Sequence, residues 1–265
     1  MTDTRPLALV TGASSGIGYE LAKQFATNGF DVVVNAEDAG ITAAAAELTG
    51  AGAGASVQPV QADLSTYEGV EQLWSAVVAT GRPLAAAALN AGIGRGGPFV
   101  ETDLTDELQL IGLNITGTTH LAKRVLVAMH TRGEGKVLFT SSIASTMPGS
   151  FHAVYNASRS FVQSLSEALQ NELKETGITV TALMPGPTDT EFFERADLMD
   201  TTIGQGPKDD PAQVARQGFE AMMAGKDKVV GGGLKSKVQA AANAVLPDAV
   251  KSAAHRQQAK PRTGE

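Results

Sequence analysis

Short apolar runs alternate with longer segments of helical period along nearly the whole chain, and this alternation restricts the fold more than any other feature. Runs this short and apolar are typical of strands buried on both faces, and strands separated by helices form parallel sheets. The sequence therefore predicts an α/β fold with a single doubly wound, mostly seven-stranded parallel sheet flanked by helices. The predicted strands are Leu7–Thr11, Val32–Asn35, Ser56–Gln61, Leu84–Asn90, Lys136–Ser141, Ile178–Met184 and Lys228–Val230.

The segments between these runs have the period of helices, and no linker divides them. Since neither a composition shift nor a Pro/Gly/Ser-rich stretch marks a boundary, residues 1–250 are predicted to form a single domain. Residues 186–210 have no clear period and are predicted to form a long mobile segment, and residues 251–265 a frayed polar C-terminal tail. The helix candidates lie near 16–28, 39–50, 67–80, 105–132, 152–176 and 211–224.

The composition excludes several classes of protein. The net charge is -7, with Lys and Arg scattered along the chain, so no basic face is expected for a nucleic-acid partner. The absence of cysteine excludes disulfides, thiolate metal ligands and cysteine nucleophiles, and no metal site is assigned. No apolar stretch approaches the ~20 residues of a membrane helix. The first residues are predicted to enter a strand and not to form a signal peptide, which favours a cytoplasmic protein without a membrane partner.

A glycine-rich turn, TGASSGIG over residues 11–18, follows the first predicted strand. Glycines at such a turn let the backbone approach a pyrophosphate, which the free N–H groups of the next helix can bind. The turn also contains the G-x-S-x-G pattern of a hydrolase nucleophile elbow, centred on Ser14. A hydrolase needs an acid, a later histidine and oxyanion donors on an earlier loop. Three of the four histidines fall in helix candidates and one in the predicted tail, so a dinucleotide site is the preferred interpretation.

Polar residues also follow the later predicted strands. Glu37 and Asp38 follow the second strand, where an acid can bind ribose hydroxyls, although a solvated turn explains Asp38 equally well. Asp63 ends the third strand, and Asn90-Ala91-Gly92 ends the fourth. These residues extend the predicted dinucleotide site along the carboxyl edge of the sheet.

Three residues in the second half complete the pattern. Ser142 ends the fifth predicted strand, and Tyr155 and Arg159 lie four residues apart on one face of the next helix candidate. Asn114 lies in the preceding long helix candidate, and Pro185-Gly186 follows the sixth strand. Taken in this order with TGASSGIG, Asp63 and NAG, the chain resembles the short-chain dehydrogenase/reductase family over roughly residues 7–232. The pattern of that family is TGxxxGxG, NAG, Asn, Ser and YxxxK, with PG after the sixth strand.

The resemblance implies a Rossmann-type domain that transfers a hydride between a nicotinamide cofactor and a small-molecule carbonyl or alcohol substrate. It implies that Tyr155 is the acid or base, that Ser142 polarises the substrate oxygen, and that Asn114 supports a proton path. Helices 105–132 and 152–176 would associate to form a homodimer or homotetramer. The implied cofactor-binding residues are Gly12, Ser14, Ser15, Gly16, Ile17, Gly18, Glu37, Asp63, Leu64, Asn90, Ala91, Gly92, Tyr155, Arg159, Pro185, Gly186, Thr188 and Thr190.

Arg159 departs from the family pattern, which has lysine at this position. The pKa of a phenol is about 10, so a tyrosine acting as a base at neutral pH needs a nearby cation. Arginine keeps the charge but places its donors differently from lysine. An active enzyme is the preferred interpretation. The alternatives are a weak or inactive dinucleotide-binding protein and, less favoured, a serine hydrolase that uses Ser14.

The same turns favour NAD(H) over NADP(H). In the family that the chain resembles, members that prefer NADP(H) usually have a basic residue where this chain has Ser15 or the Ala36-Glu37-Asp38 run. Carboxylates at these positions repel a 2′-phosphate. The candidate pocket residues are mostly apolar, which favours a hydrophobic substrate, although a core or interface role explains them equally well. They are Ile93–Gly97, Ile143–Met147, Phe151, His152 and residues 187–205, with Phe192 and Phe193.

Overall fold

The computed structural model describes residues 5–52 and 54–262. Seven strands form one sheet in the order β3-β2-β1-β4-β5-β6-β7, and every neighbouring pair is parallel. The doubly wound parallel fold predicted from the alternation is therefore confirmed. The strands are β1 Leu7–Thr11, β2 Asp31–Ala36, β3 Val57–Gln61, β4 Leu84–Leu89, β5 Glu134–Thr140, β6 Gly177–Pro185 and β7 Lys228–Gly231.

Helices cover both faces of this sheet. A π-helical turn, Gly112–Gly117, interrupts the helix predicted over 105–132, and a short 3₁₀ turn, Ile143–Thr146, follows β5. None of the described helices has the length and hydrophobicity that a membrane span requires. The described α-helices are α1 Gly16–Thr27, α2 Gly40–Ala51, α3 Tyr67–Ala79, α4 Leu104–Ile111, α5 Thr118–Arg132, α6 Ala153–Glu172, α7 Phe192–Arg195, α8 Thr202–Gln205, α9 Pro211–Met223, α10 Leu234–Val245 and α11 Asp248–Ala259.

The two layers of the core follow from the alternation of side chains along each strand. In β1, Leu7 and Leu9 pack into one layer with residues of α3, α5 and α6, whereas Ala8 and Val10 pack into the other with residues of α1, α2 and α9. All five residues of β1 are buried, because both faces of a central parallel strand are covered by helices.

The order of the strands determines where a ligand site forms. The chain passes from β1 outward to β2 and β3 and then returns to β4 on the other side of β1. The connections after β1 and β4 therefore diverge and leave a crevice at the carboxyl ends of these strands. The glycine-rich turn and the NAG turn both lie at this crevice.

Two sequence-based expectations are wrong. Residues 186–210 include α7 and α8, and Phe193, Ala196 and Leu198 of this segment form a small buried cluster. Residues 251–259, predicted to be part of a frayed tail, belong to α11, on which His255 and Ala259 are buried. Most residues of α11 are polar and few are buried, so its composition hides its packing. Residues 263–265 of the predicted tail lie outside the described residues.

Candidate active site

The crevice at the carboxyl edge is a cleft of about 440 Å³. It runs from the glycine-rich turn, past the ends of β4 and β5, to α7, α10 and α11. Every site residue predicted from the sequence lines this cleft except Asn114, which is fully buried behind it. Of the candidate pocket residues, Ile93, Met147, His152, Phe192 and Phe193 are among those at the cleft, whereas Phe151 is not.

The glycine-rich turn has a shape that only glycine permits at two positions. Gly12 and Gly16 have φ angles of 65° and 58°, and a Cβ on Gly12 would lie 2.9 Å from Ala91 Cα. A Cβ on Gly18 would overlap the carbonyl oxygen of Gly12. Ser15 begins α1 without a side-chain cap, so the first N–H groups of the helix are not satisfied by its side chain. An open cradle beside a free helix N-terminus fits a pyrophosphate.

The end of β2 presents carboxylates to the cleft. Asp38 accepts a hydrogen bond from Ser14 Oγ at 2.8 Å and another from the backbone N–H of Gly40 at 2.9 Å. Asp38 is therefore held in the wall of the cleft and is not simply a solvated turn residue. Glu37 is exposed beside it and also lines the cleft.

Asn90 joins the ends of three strands. Its side-chain amide donates to the carbonyl oxygen of Thr11 at 3.1 Å, and its Oδ1 accepts from Thr140 Oγ1 at 3.0 Å. Thr11 Oγ1 in turn accepts the backbone N–H groups of Asn90 and Ala91. These bonds fix the turns after β1 and β4 against each other and so preserve the width of the cleft.

Tyr155 and Ser142 lie at the substrate end of the cleft. Tyr155 is on the first turn of α6, with its ring centroid 5.2 Å from that of Phe192. The hydroxyl of Tyr155 makes no hydrogen bond within the described part of the chain. Ser142 Oγ accepts the N–H of Ala144 at 3.1 Å and lies 3.4 Å from the carbonyl oxygen of Pro185. The phenol is thus available to a ligand, and the serine hydroxyl is only weakly engaged as a donor.

The Arg159 side chain points into the site and is 6% exposed. Its Nη1 donates to the carbonyl oxygen of Thr140 at 3.1 Å, and its Cζ lies 5.2 Å from the centre of the Tyr155 ring. A Cβ on Gly92 would overlap the guanidinium, so the glycine of the NAG turn leaves the space that the larger cation occupies. Arg159 Nε is buried without a hydrogen-bond partner among the described residues. A fixed positive charge therefore stands beside the phenol.

Asn114 acts on the loop after β4. It lies in the π-helical turn, and its side chain bonds both the N–H and the carbonyl oxygen of Ile93, at 3.0 and 2.9 Å. Its Nδ2 also donates to Ser158 Oγ at 3.0 Å. Because the Ser158 hydroxyl donates to the carbonyl oxygen of Tyr155, Asn114 couples this loop to the turn that carries the phenol.

A pair of buried histidines was not predicted as part of the site. His152 lies next to Tyr155, with ring centroids 4.9 Å apart, and its ring centroid is 6.1 Å from that of His255 on α11. His255 Nδ1 bonds the carbonyl oxygen of Ser150 at 3.0 Å. The sequence predicts His152 only as a pocket candidate and His255 only as part of a tail, because no local pattern shows that α11 returns to the cleft. Gln239 and Gln258, from α10 and α11, were missed for the same reason.

The two histidines are expected to make the protein less stable in acid. Burial, assisted by the neighbouring His255, lowers the pKa of His152 to about 3, and burial lowers the pKa of His255. Below pH 6.5 the unfolded chain binds a proton at His152 that the folded chain does not bind. The free energy of unfolding should therefore fall by about 2 kcal/mol between pH 7 and 5 from His152 alone. Urea unfolding at both pH values measures this loss.

His152→Leu should abolish the part of the decrease in unfolding free energy between pH 7 and 5 that His152 causes. His130→Leu, the same change at an exposed histidine, should leave that decrease unchanged. Equal pH dependence in wild type and His152→Leu would contradict the assignment.

Comparisons with known proteins agree with this arrangement. The family model described as short chain dehydrogenase matches residues 6–200. A putative ketoacyl reductase of Streptomyces coelicolor is 39% identical over 197 residues, covering 71% of this chain and 73% of that protein. The uncharacterized oxidoreductase YbbO of Escherichia coli is 31% identical over 209 residues, covering 78% and 74%. A short-chain dehydrogenase of Sphingobium yanoikuyae, solved in complex with NADPH, has a TM-score of 0.78 at 30% identity and covers 85% and 87%.

Proposed function

Because the chain belongs to the short-chain dehydrogenase family of NAD(P)-dependent oxidoreductases, we propose that Tyr155 exchanges a proton with the oxygen of a carbonyl or alcohol substrate. The observation that carries this proposal is the unpartnered phenol hydroxyl in the cleft, beside the buried guanidinium of Arg159. The direct test is to follow NADH absorbance with a panel of ketones that includes β-ketoacyl thioesters, the substrate class suggested by the name of the Streptomyces relative. If none of these ketones is turned over, the proposal is contradicted.

The residues at the substrate end divide the chemistry between them. A bound nicotinamide supplies or accepts the hydride. As negative charge develops on the carbonyl oxygen during reduction, Tyr155 donates its proton to that oxygen and Ser142 Oγ donates a hydrogen bond to it. Arg159 stabilises the tyrosinate that forms, because an opposite charge within a few ångströms favours the ionised phenol. In alcohol oxidation the same groups act in reverse, and the tyrosinate accepts the proton.

The cofactor would lie along the glycine-rich turn and the ends of the strands. The open cradle of Gly12, Gly16 and Gly18 fits the pyrophosphate, and Asp63 with Leu64 lines the adenine end. Thr188 and Thr190 line the opposite end, where the nicotinamide would meet Tyr155. Thr188 is buried, with its hydroxyl bonded to the carbonyl oxygen of Gly186, so its contact with the cofactor would be mainly steric.

We expect NADH to bind at least about tenfold more tightly than NADPH. Glu37 and Asp38 place two carboxylates at the end of β2, where they can accept from ribose hydroxyls and repel a 2′-phosphate. The arginines that line the cleft, Arg95, Arg159 and Arg195, all follow β4 or later strands, on the other side of β1 from β2. Fluorescence titration with each cofactor at equal ionic strength measures the two dissociation constants.

Glu37→Arg should reduce the difference in affinity between NADH and NADPH. Glu172→Arg makes the same charge change at an exposed position near the end of α6 and away from the cleft, and it should leave that difference unchanged. Tighter binding of NADPH by the wild type would show that the preference is reversed.

Two alternatives predict different results. A dinucleotide-binding protein without turnover would bind NADH but reduce no ketone, and the buried position of Arg159 argues against it because the cation remains beside the phenol. A serine hydrolase would need a base for Ser14, whose hydroxyl donates directly to Asp38. Of the two histidines at the cleft, His152 lies beside Tyr155 and His255 beside His152, and His120 bonds Glu71. Ester hydrolysis lost in Ser14→Ala would favour the hydrolase.

We further propose a homodimer or homotetramer that forms through the long helices. Four large apolar side chains are exposed on these helices, and an interface between protomers would remove them from water. They are Leu104 and Leu108 of α4, Val127 of α5 and Phe161 of α6.

A further inference from the structure

His152 holds an unused hydrogen-bonding group at the substrate end of the cleft. The side chain is 4% exposed, and its Nε2 is buried without a hydrogen-bond partner among the described residues. A buried polar atom without a partner costs free energy, so such an atom commonly marks a place that a ligand or water completes. The ring lies against Tyr155 and lines the cleft, one helical turn before the proposed proton donor.

The charge of the imidazole limits the chemistry of that ligand. Burial disfavours the protonated form of both His152 and His255, so both rings are neutral at pH 7. His255 Nδ1 faces a carbonyl oxygen and must donate to it, which fixes the tautomer of that ring. Neutral imidazoles give a carboxylate no countercharge, and the Arg159 guanidinium lies at the Tyr155 ring and donates to the carbonyl oxygen of Thr140. A carboxylate at His152 would therefore lose its hydration at a cost in free energy. An uncharged oxygen can instead accept the N–H of His152 without that penalty.

We propose that His152 is a specificity-determining residue that hydrogen-bonds a second, uncharged oxygen of the substrate. The favoured substrates would then be carbonyl compounds with another carbonyl or ester oxygen one or two carbons away from the reacting carbon. The ring centroids of His152 and Tyr155 are 4.9 Å apart, so two oxygens that bond these neighbouring side chains must lie close together in one substrate. The inference rests on the proposed function, and it adds the class of substrate.

Two ketones of equal chain length test the inference kinetically. Ethyl acetoacetate carries an ester group beside its ketone, and 2-heptanone has the same number of backbone atoms without the ester oxygens. Wild type should have the higher kcat/KM for ethyl acetoacetate, and His152→Leu should lower that preference about tenfold, mainly through KM, which is the scale of one lost hydrogen bond. His152→Gln should restore part of the preference, and His130→Leu, at an exposed histidine, should not change it.

A binding measurement decides the inference without turnover. In ¹⁵N-labelled protein with saturating NAD⁺, ethyl acetoacetate should shift the ring nitrogens of His152, identified by their loss in His152→Gln, whereas 2-heptanone should not. If no ketone oxidises NADH but the His152 signals shift selectively, the proposed function fails and the oxygen site stands. If NADH is oxidised but His152→Leu keeps the full preference and the signals do not respond, the inference is overturned and the function stands.

Discussion

Tyr155→Phe is expected to lower kcat for ketone reduction at least about a thousandfold while the dissociation constant of NADH changes by no more than about threefold. The variant removes only the hydroxyl, which makes no hydrogen bond within the described chain, so neither the fold nor the cofactor cradle loses a contact. The proton donor of the reaction is lost, and water in a narrow cleft replaces it poorly. Single-turnover measurement at saturating NADH separates this loss from any change in cofactor binding.

Tyr67→Phe is the matched control, because Tyr67 is exposed on α3 and does not line the cleft. It should keep wild-type kcat. Substantial ketone reduction by Tyr155→Phe would mean that another group supplies the proton, and the mechanism proposed for Tyr155 would be wrong.

Arg159→Met is expected to shift the pH profile of alcohol oxidation about one unit or more toward alkaline pH and to lower kcat at neutral pH about tenfold or more. Methionine fills similar space without charge, so the tyrosinate loses its nearby cation. Because the guanidinium also lies between Gly92 and the carbonyl oxygen of Thr140, NADH affinity should weaken modestly. Initial rates between pH 6 and 10, with NADH titration of both proteins, measure the two effects.

Arg159→Lys should preserve or raise activity if an ammonium reaches the same position. Arg216→Met, an equal change on the exposed face of α9, should leave the profile unmoved. An unchanged pH profile in Arg159→Met would show that the guanidinium does not act on the phenol. A dinucleotide-binding protein without turnover would then be the better interpretation.

The sheet could be predicted because its strands are buried on both faces, which leaves continuous apolar runs between helical segments. The π-helical turn could not be predicted, because Gly112 and Gly117 fit an ordinary helical pattern. Only the structure shows that Gly117 packs against the carbonyl oxygen of Leu64. The helix α11 was missed because burial of a narrow stripe does not change its polar composition.

The site divides in the same way. The residues of the cleft could be predicted because they follow consecutive strands, and the carboxyl ends of parallel strands meet at one edge. The contacts between these residues could not be predicted. The bond between Ser14 and Asp38 and the contact of His152 with His255 join segments that are distant in the sequence, and no local pattern encodes them.

Because α11 packs against the cleft, the residues that line the cleft come from two parts of the chain. The stretch shared with the family, residues 6–200, contains the glycine-rich turn, Ser142, Tyr155 and Arg159. Gln239, His255 and Gln258 line the same cleft from beyond that stretch. Substitutions in the last two helices would therefore change the lining of the cleft without replacing Ser142, Tyr155 or Arg159. Because His152 lies within the shared stretch and also lines the cleft, selection of the substrate would depend on both parts of the chain.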